Sequence, residues 1–296
     1  MRICVIFNPS ARGEKARRMR RYLDEIGPHC TLKLTKNPGS ARALAREAVV
    51  EGHEIVVAAG GDGTLNEVLN GIGDVPGAFE WVRLGVLPLG TVNVFARELG
   101  IPRRLPHAWR IVLGGRERRI DLPKVEFQQH GGGATRYFAQ MAGAGLDARA
   151  IQLVDWGLKK RFGPFAYVIA GLRAMRGPHG PISVDVAAQT TTGQLVLIGN
   201  GRFYGGSYVL FPDADPGDGL LDVRVFSKVS WKVLLQCGIG LLTRTLPRAA
   251  GGVCLRASDF VLRGPPDTLF ELDGELIGNL PARFRIEPRA LRVLIQ

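Results

Sequence analysis

Ile55-Val56-Val57-Ala58-Ala59-Gly60-Gly61-Asp62-Gly63-Thr64-Leu65 is the stretch that decides the fold. Its first five residues are a short, wholly apolar run rich in β-branched side chains, which reads as a buried strand. Gly60, Gly61 and Gly63 let the backbone approach a ligand closely and adopt positive φ. A helix then opens at Leu65. The amino end of a helix carries unpaired N–H groups and a partial positive charge, so a strand, a glycine turn and a helix in that order form a seat for phosphate. Asp62 repels phosphate if it acts alone; in this turn it makes sense by acting through Mg²⁺ or by taking a proton. A tight turn with Asp62 as a helix cap is the competing reading.

A second turn of the same kind lies close behind. Leu89-Gly90-Thr91-Val92-Asn93 follows a strand over residues 83–87 and leads into a helix over 94–99. Thr91 and Asn93 can donate to phosphate oxygens or to ribose. Further out, strands at residues 2–7 and 30–35 alternate with helices at 13–26 and from Ser40, read as an N-cap, to about Glu51. Strands alternating with helices imply a largely parallel sheet, whose ligands sit beyond the carboxyl ends of the strands.

After Asp121 the pattern changes. Residues 124–128 and 136–141 read as strands around a glycine-rich turn, and helices are expected at 150–160 and 165–175. Then follow strand-like runs at 182–187, 194–198, 208–211, 220–226, 260–263, 269–272, 282–287 and 291–295. The fold class is therefore α/β with an N-terminal parallel-sheet domain, residues 1–121, followed by a β-rich, antiparallel domain, residues 122–296.

Composition sets limits. The chain has 296 residues, 46% of them hydrophobic and 22% charged, which is the balance of a globular protein. Its most apolar windows, 165–172 and 233–242, are too short to cross a bilayer, which takes about 20 residues. Residues 1–8 read as a first strand and not as a signal peptide. Cys4, Cys30, Cys237 and Cys254 have no CxxC spacing, so reduced thiols of a cytoplasmic protein are expected and a zinc site is not. The net charge of +12 suits a solvated basic surface or attraction to anionic lipid. Nucleic acid ranks last as a partner, because no helix-turn-helix, zinc finger or aromatic-basic motif is present.

Three further stretches bear on chemistry. In Leu272-Asp273-Gly274-Glu275, an extended backbone points Asp273 and Glu275 to one face, where two carboxylates can share Mg²⁺ binding and proton abstraction from a hydroxyl. An Asp-Gly hairpin turn is the alternative. The acidic run Pro212 to Gly219, with Asp213, Asp215 and Asp218, suits a hard cation or a plain solvated turn. Gly143-Ala144-Gly145-Leu146-Asp147-Ala148 has the spacing of a dinucleotide fingerprint, but no strand ending in an acidic residue follows at the right distance, and it reads as a packing turn.

Taken together, these pieces resemble the diacylglycerol kinase catalytic family, the group that includes bacterial lipid kinases and the sphingosine and ceramide kinases. The matching segments are Asn8-Pro9, Gly60 to Glu67, Leu87 to Asn93, Gly145 to Ala148, Asn200 to Gly206, Pro212 with Ala214, Asp218 to Asp222, and Asp273 to Glu275. The resemblance implies a nucleotide-binding α/β domain, a β-sandwich domain, and an active site in the cleft between them. It implies ATP contacts at Asn8, Thr35, Gly60, Gly61, Asp62, Gly63, Thr64, Leu65, Asn66 and Thr91, with Asn93 in the second loop. It implies a proton acceptor at Glu275 with Asp273 beside it, and Mg²⁺ near Asp215, Asp218 and the Leu220 carbonyl. One departure lengthens the first phosphate turn: the family's glycine after Asn-Pro is Arg12 here, with Gly13 next.

The expected function is transfer of the γ-phosphate of ATP to the hydroxyl of a membrane lipid by a peripheral protein at the inner membrane surface. A kinase of a soluble acceptor such as NAD, and a catalytically silent nucleotide- or lipid-binding regulator, are the alternatives.

Overall fold

A computed structural model describes residues 2–9, 22, 26–129, 131–153, 180–228 and 252–296. The chain divides into two compact units. The first comprises Met1–Leu122, Tyr137–Ala139 and Glu287–Gln296, and the second Pro123–Arg136 and Gln140–Ile286. The helices expected at 13–26 and 165–175 and the apolar window 233–242 lie outside the described residues, wholly or nearly so.

The first unit begins with β1 (Ile3–Phe7), β2 (Thr31–Leu34), α1 (Ser40–Val50), β3 (Ile55–Gly60), α2 (Asp62–Gly73) and β4 (Arg83–Pro88). It continues with α3 (Val94–Glu98), α4 (Leu105–Gly114) and the first half of β5 (Arg116–Gln129). The strands lie in the order β2-β1-β3-β4, all parallel, with Ile3 opposite Ile55 and Ile55 opposite Arg83. Every residue of β1 and of β3 is buried, as a parallel sheet covered on both faces requires.

In α1, Ala41, Ala45, Ala48 and Val49 form one buried stripe at helical spacing. It packs against α2 so closely that a Cβ at Gly71 would stand 2.7 Å from the Ala45 Cβ. The N-cap of α1 is Gly39, in the left-handed region, and not Ser40. The Ser40 hydroxyl instead accepts the N–H groups of Lys36 and Asn37.

Two later segments return to this unit, each held by a buried polar side chain. Asn70 on α2 accepts the Tyr137 N–H and donates to the Tyr137 carbonyl, both at 2.9 Å. Asp121, fully buried, accepts the Arg289 N–H at 2.8 Å. The end of β18 (Ala282–Ile295) then joins the sheet parallel to β4, with Arg292 opposite Arg83.

The second unit is an antiparallel β sandwich. It contains the end of β5, β6 (Gly132–Tyr137) up to Arg136, β7 (Met141–Gly145), α5 (Leu146–Leu153), β8 (Ile182–Val186), β9 (Gln189–Gly193), β10 (Leu195–Gly199), β11 (Phe203–Tyr204) and β12 (Tyr208–Val209). It goes on through β13 (Leu221–Phe226), β14 (Val253–Ala257), β15 (Asp259–Arg263), β16 (Leu269–Leu272), β17 (Glu275–Asn279) and the start of β18. One sheet has the order β14-β13-β10-β7-β16-β17. The other ladder runs β18-β15-β8-β9, with β5 beside β18.

An aromatic cluster joins the two layers. Phe260 of β15 stacks on Phe284 of β18 at 5.4 Å, and Phe270 of β16 meets Phe284 edge-on at 6.2 Å and Phe127 of β5 at 5.1 Å. Each fully buried Phe of this cluster contributes about 1.5–3 kcal/mol.

Candidate active site

The two glycine turns of the first unit come together at the carboxyl ends of β3 and β4. Leu89 and Gly90 both donate their N–H groups to the Gly60 carbonyl, at 2.9 and 3.1 Å. A Cβ at Gly60 would collide with Thr64. Gly61 is extended, and none of Gly60, Gly61, Gly63 and Gly90 has positive φ. The expectation of positive φ is therefore corrected: at Gly60 a Cβ would strike Thr64, and at Gly90 it would strike the backbone of Gly61. The amino end of α2, a helix of 12 residues, opens directly from this contact.

Each residue named from the sequence can now be placed. Asn8 follows β1; its N–H donates to the Ala59 carbonyl and its side-chain amide to Thr64 Oγ1 at 3.3 Å. Thr35 is buried after β2, with its N–H on the Phe7 carbonyl. These bonds bring Asn8 and Thr64 to one sheet edge. The lengthened turn at Arg12-Gly13 falls outside the described residues.

Asp62 Oδ1 accepts the Phe95 N–H at 3.4 Å, so Asp62 does cap a helix, although the helix is α3 and not its own. Leu65 is buried in the core. Asn66 is buried too, and its amide donates to the Tyr137 carbonyl at 3.4 Å. Asn93 has φ +54°, accepts the Gly90 N–H at 3.0 Å and donates to the Gly90 carbonyl at 2.6 Å. Its side chain builds the second turn. Thr91 is exposed on that turn, and Gly63 lies half-buried in the opening residues of α2.

Two residues that sequence reasoning missed complete this end of the unit. Arg103 donates to the carbonyls of Gly90 and Thr91, at 3.3 and 2.7 Å, and places a cation beside the second turn. Glu67 caps α1 across 28 residues, accepting the Gly39 and Ala41 N–H groups at 2.9 Å each. Glu67 belongs to the quoted motif, so a signal existed for it; Arg103 had none.

In the second unit, Asp273-Gly274 forms a hairpin turn. Asp273 has φ +49° and Gly274 φ +90°, with Leu272 paired to Glu275, the pattern of a two-residue turn with both central residues left-handed. The extended arrangement of Asp273 and Glu275 on one face is thereby overturned and the hairpin alternative holds. Asp273 Oδ1 accepts the N–H groups of Gln140 and Met141, at 2.9 and 3.0 Å, and its own N–H donates to the Met141 carbonyl at 2.8 Å. That carboxylate anchors the turn to the start of β7. Glu275 is exposed at the first position of β17.

The acidic loop lies between β12 and β13, and its Asp218 is held by a neighbouring backbone group and by an arginine. Asp218 Oδ1 accepts the Leu220 N–H at 2.9 Å, and Asp218 Oδ2 pairs with Arg256, which also reaches Asp222 at 3.4 Å. Asp215 is exposed. Among the described residues no group of three or more His, Cys, Asp or Glu side chains is arranged to hold a metal. The set expected to hold Mg²⁺ is two carboxylates, Asp215 and Asp218, and the main-chain carbonyl of Leu220, and a cation there would share Asp218 with Arg256.

Comparison with known proteins agrees with this arrangement. Residues 2–125 match the model described as diacylglycerol kinase catalytic domain, and residues 140–295 match that of the YegS C-terminal NAD kinase beta sandwich-like domain. A protein named diacylglycerol kinase from Staphylococcus aureus is 30% identical, over 95% of this chain and 88% of its own length. One named probable lipid kinase YegS-like from Pseudomonas aeruginosa is 32% identical, over 98% and 93%. A crystal structure of a Bacillus anthracis diacylglycerol kinase superposes with a TM-score of 0.75 at 22% identity, covering 100% of this chain and 97% of that one. Yeast NADH kinase shares the fold at a TM-score of 0.60 and 10% identity, over 100% and 84%. The chain belongs to the diacylglycerol kinase catalytic family of lipid kinases.

Proposed function

We propose that this chain transfers the γ-phosphate of ATP to the hydroxyl of a membrane lipid, with diacylglycerol the first acceptor to test and sphingoid bases and ceramide after it. The observation that carries the reading is the contact of two glycine turns at the amino end of α2, backed by the cation of Arg103. Such a seat takes polyphosphate through backbone N–H groups and the helix dipole.

In the proposed reaction ATP lies along Gly60 to Thr64 and Thr91, and its Mg²⁺ enters with it as part of the substrate. Glu275 accepts the proton of the lipid hydroxyl. The hydroxyl oxygen forms a bond to the γ-phosphorus as the bond from that phosphorus to the β–γ bridging oxygen breaks, and ADP leaves with the electron pair. The exposure of Glu275 supports this role, because a base must come within roughly 2.6–3.2 Å of the hydroxyl it serves. The protein meets its lipid as a peripheral enzyme at the cytoplasmic face of the membrane, a reading supported by its net charge of +12.

Incubation of the purified chain with γ-labelled ATP, Mg²⁺ and a total lipid extract tests the proposal. Label in an organic-soluble phospholipid is the expected result. Label only in NAD, supplied in parallel, would transfer the function to a soluble acceptor, and ATP binding without any turnover would make the chain a regulator.

A further inference from the structure

The second unit holds two carboxyl groups that the reaction above does not use. Glu271 lies on β16 directly across from Gly143 of β7, and Asp147 stands in the first turn of α5. Both carboxyl groups fill the space over Gly143: a Cβ there would collide with Asp147 Oδ2 and stand 3.0 Å from Glu271 Oε1. Glu271 is 2% exposed. Each group has one oxygen tied elsewhere. The Tyr204 hydroxyl donates to Asp147 Oδ1, and the Gly274 N–H donates to Glu271 Oε2 at 2.6 Å. Among the described residues no hydrogen-bond partner reaches the buried Asp147 Oδ2, and Glu271 Oε1 lies against the same face of Gly143.

Two ionised carboxylates do not rest side by side in a dry site, because their repulsion is not screened there. One proton between them converts the repulsion into a charge-assisted O–H···O bond and satisfies the orphaned oxygen. Burial is the main force raising the proton affinity of both groups, and the charge of Asp147 raises Glu271 further. The other titratable groups near the pair are Tyr204 and, at the turn, Asp273 and Glu275. Arg149 is the second charged residue of α5, and β7 and β10 bring no titratable side chain.

Glu271 reaches the reacting end of the unit through Gly274, the second residue of the turn that carries Glu275. We propose that Asp147 and Glu271 share one proton and that the pair is a positioning element for the Asp273-Gly274 turn and, through it, for Glu275. The second half of this rests on Glu275 being the proton acceptor. As pH rises and the shared proton is lost, the two charges repel, Glu271 moves, and the turn loses its hold.

Carboxyl ¹³C NMR of the full chain, labelled at Asp and Glu, tests the shared proton without reference to catalysis. The wild-type protein should keep one carboxyl of the pair protonated well above the ordinary carboxylate range, and Asp147→Asn and Glu271→Gln should each remove that signal. Both carboxyls titrating in the ordinary range would overturn the shared proton. The positioning role is read from kcat against pH, with γ-labelled ATP and dioleoylglycerol in detergent micelles. Glu271→Gln keeps an acceptor for Gly274 and gains a donor for Asp147. It should hold kcat within about three-fold and flatten the alkaline limb, while Glu271→Ala should lose about ten-fold or more at unchanged KM for ATP. Equal kcat in the Gln and Ala variants would overturn the positioning role. A fully active Glu275→Gln, with the NMR signal intact, would overturn the base assignment and leave the shared proton standing.

Discussion

A Cβ on Gly90 would stand 2.5 Å from the Cα of Gly61, so the two glycine turns touch backbone to backbone. The reverse distance differs: a Cβ on Gly61 would sit 3.4 Å from the Gly90 Cα, an ordinary contact. The asymmetry separates loss of fold from loss of ligand. Gly90→Ala must push the turns apart and should cost about 1–3 kcal/mol of stability along with ATP affinity. Gly61→Ala should melt like the wild type and still bind ATP more weakly, because its methyl group enters the space phosphate needs. Gly61→Val should block ATP. Thermal melts paired with calorimetric ATP titrations read both effects. Unchanged ATP affinity in a folded Gly61→Val protein would remove this turn from the site.

Three carboxylates compete for the role of base, and their surroundings sort them. Glu275→Gln should lower kcat by about 10²–10⁴-fold with little change in ATP affinity. Asp273→Asn keeps the acceptor atom that holds Gln140 and Met141, and should retain most activity; Asp273→Ala loses both bonds and should be less stable. Asp62→Asn should still cap α3 but weaken Mg²⁺-ATP binding and turnover together. Steady-state kinetics and ATP titrations on the four variants decide. Near-normal kcat in Glu275→Gln, with activity abolished in Asp62→Asn or Asp273→Asn at intact ATP affinity, would exchange the roles.

The basic excess predicts weak, salt-sensitive binding to anionic vesicles. Screening over about 8 Å at physiological ionic strength should reduce it further as salt rises. The contacts expected from the sequence, Lys159-Lys160-Arg161 and the apolar stretch 162–167, lie outside the described residues. Co-sedimentation with phosphatidylglycerol and with phosphatidylcholine vesicles, at low and high salt, is the measurement. Equal binding to neutral vesicles in high salt would refute the electrostatic part.

Glu117 and Arg292 form a two-pronged pair, at 2.8 and 2.6 Å, and Arg292 also donates to the Glu80 carbonyl at 2.7 Å. The pair ties the start of β5 to the returning end of β18. Hydrogen bonding to Arg292 holds the Glu117 carboxyl below its ordinary value of 4.5. A depressed carboxylate stabilises the fold above its unfolded value and ceases to as pH falls through the folded one. Glu117→Gln should therefore lower the melting temperature at neutral pH and make no difference in acid well below that range. A melting difference that persists unchanged into acid would exclude the ion pair as its cause.

Much of the fold is legible along the chain. The buried strand before Gly60 and the Ala stripe of α1 carry their signal in local periodicity, while Asp273-Gly274 left an extended stretch and a hairpin turn both open, and bonds to Gln140 and Met141 far off in the chain anchor the turn. Ser40 misled as a cap because a carboxylate 27 positions away from it in the chain, on Glu67, does that work beside Gly39. Nothing near Asp218 in sequence announces its ion pair with Arg256, 38 residues away.

The sequence by itself determined the class: strands alternating with helices, then strands alone, with two glycine turns at matching points. It also named the residues of those turns. The tertiary structure decided what the turns do to each other, which segments return to the first unit, and which side chains are consumed in building the site. Asn66, Asn70 and Asn93 are spent on backbone groups, and Arg103 is recruited from beyond α3. The reason is physical. Local conformation follows from nearest-neighbour sterics and hydrogen bonds. A buried polar group instead takes whichever partner the packed chain delivers, and Asn70 with Tyr137, 67 residues apart, or Asp121 with Arg289, 168 apart, leave no periodic trace between them.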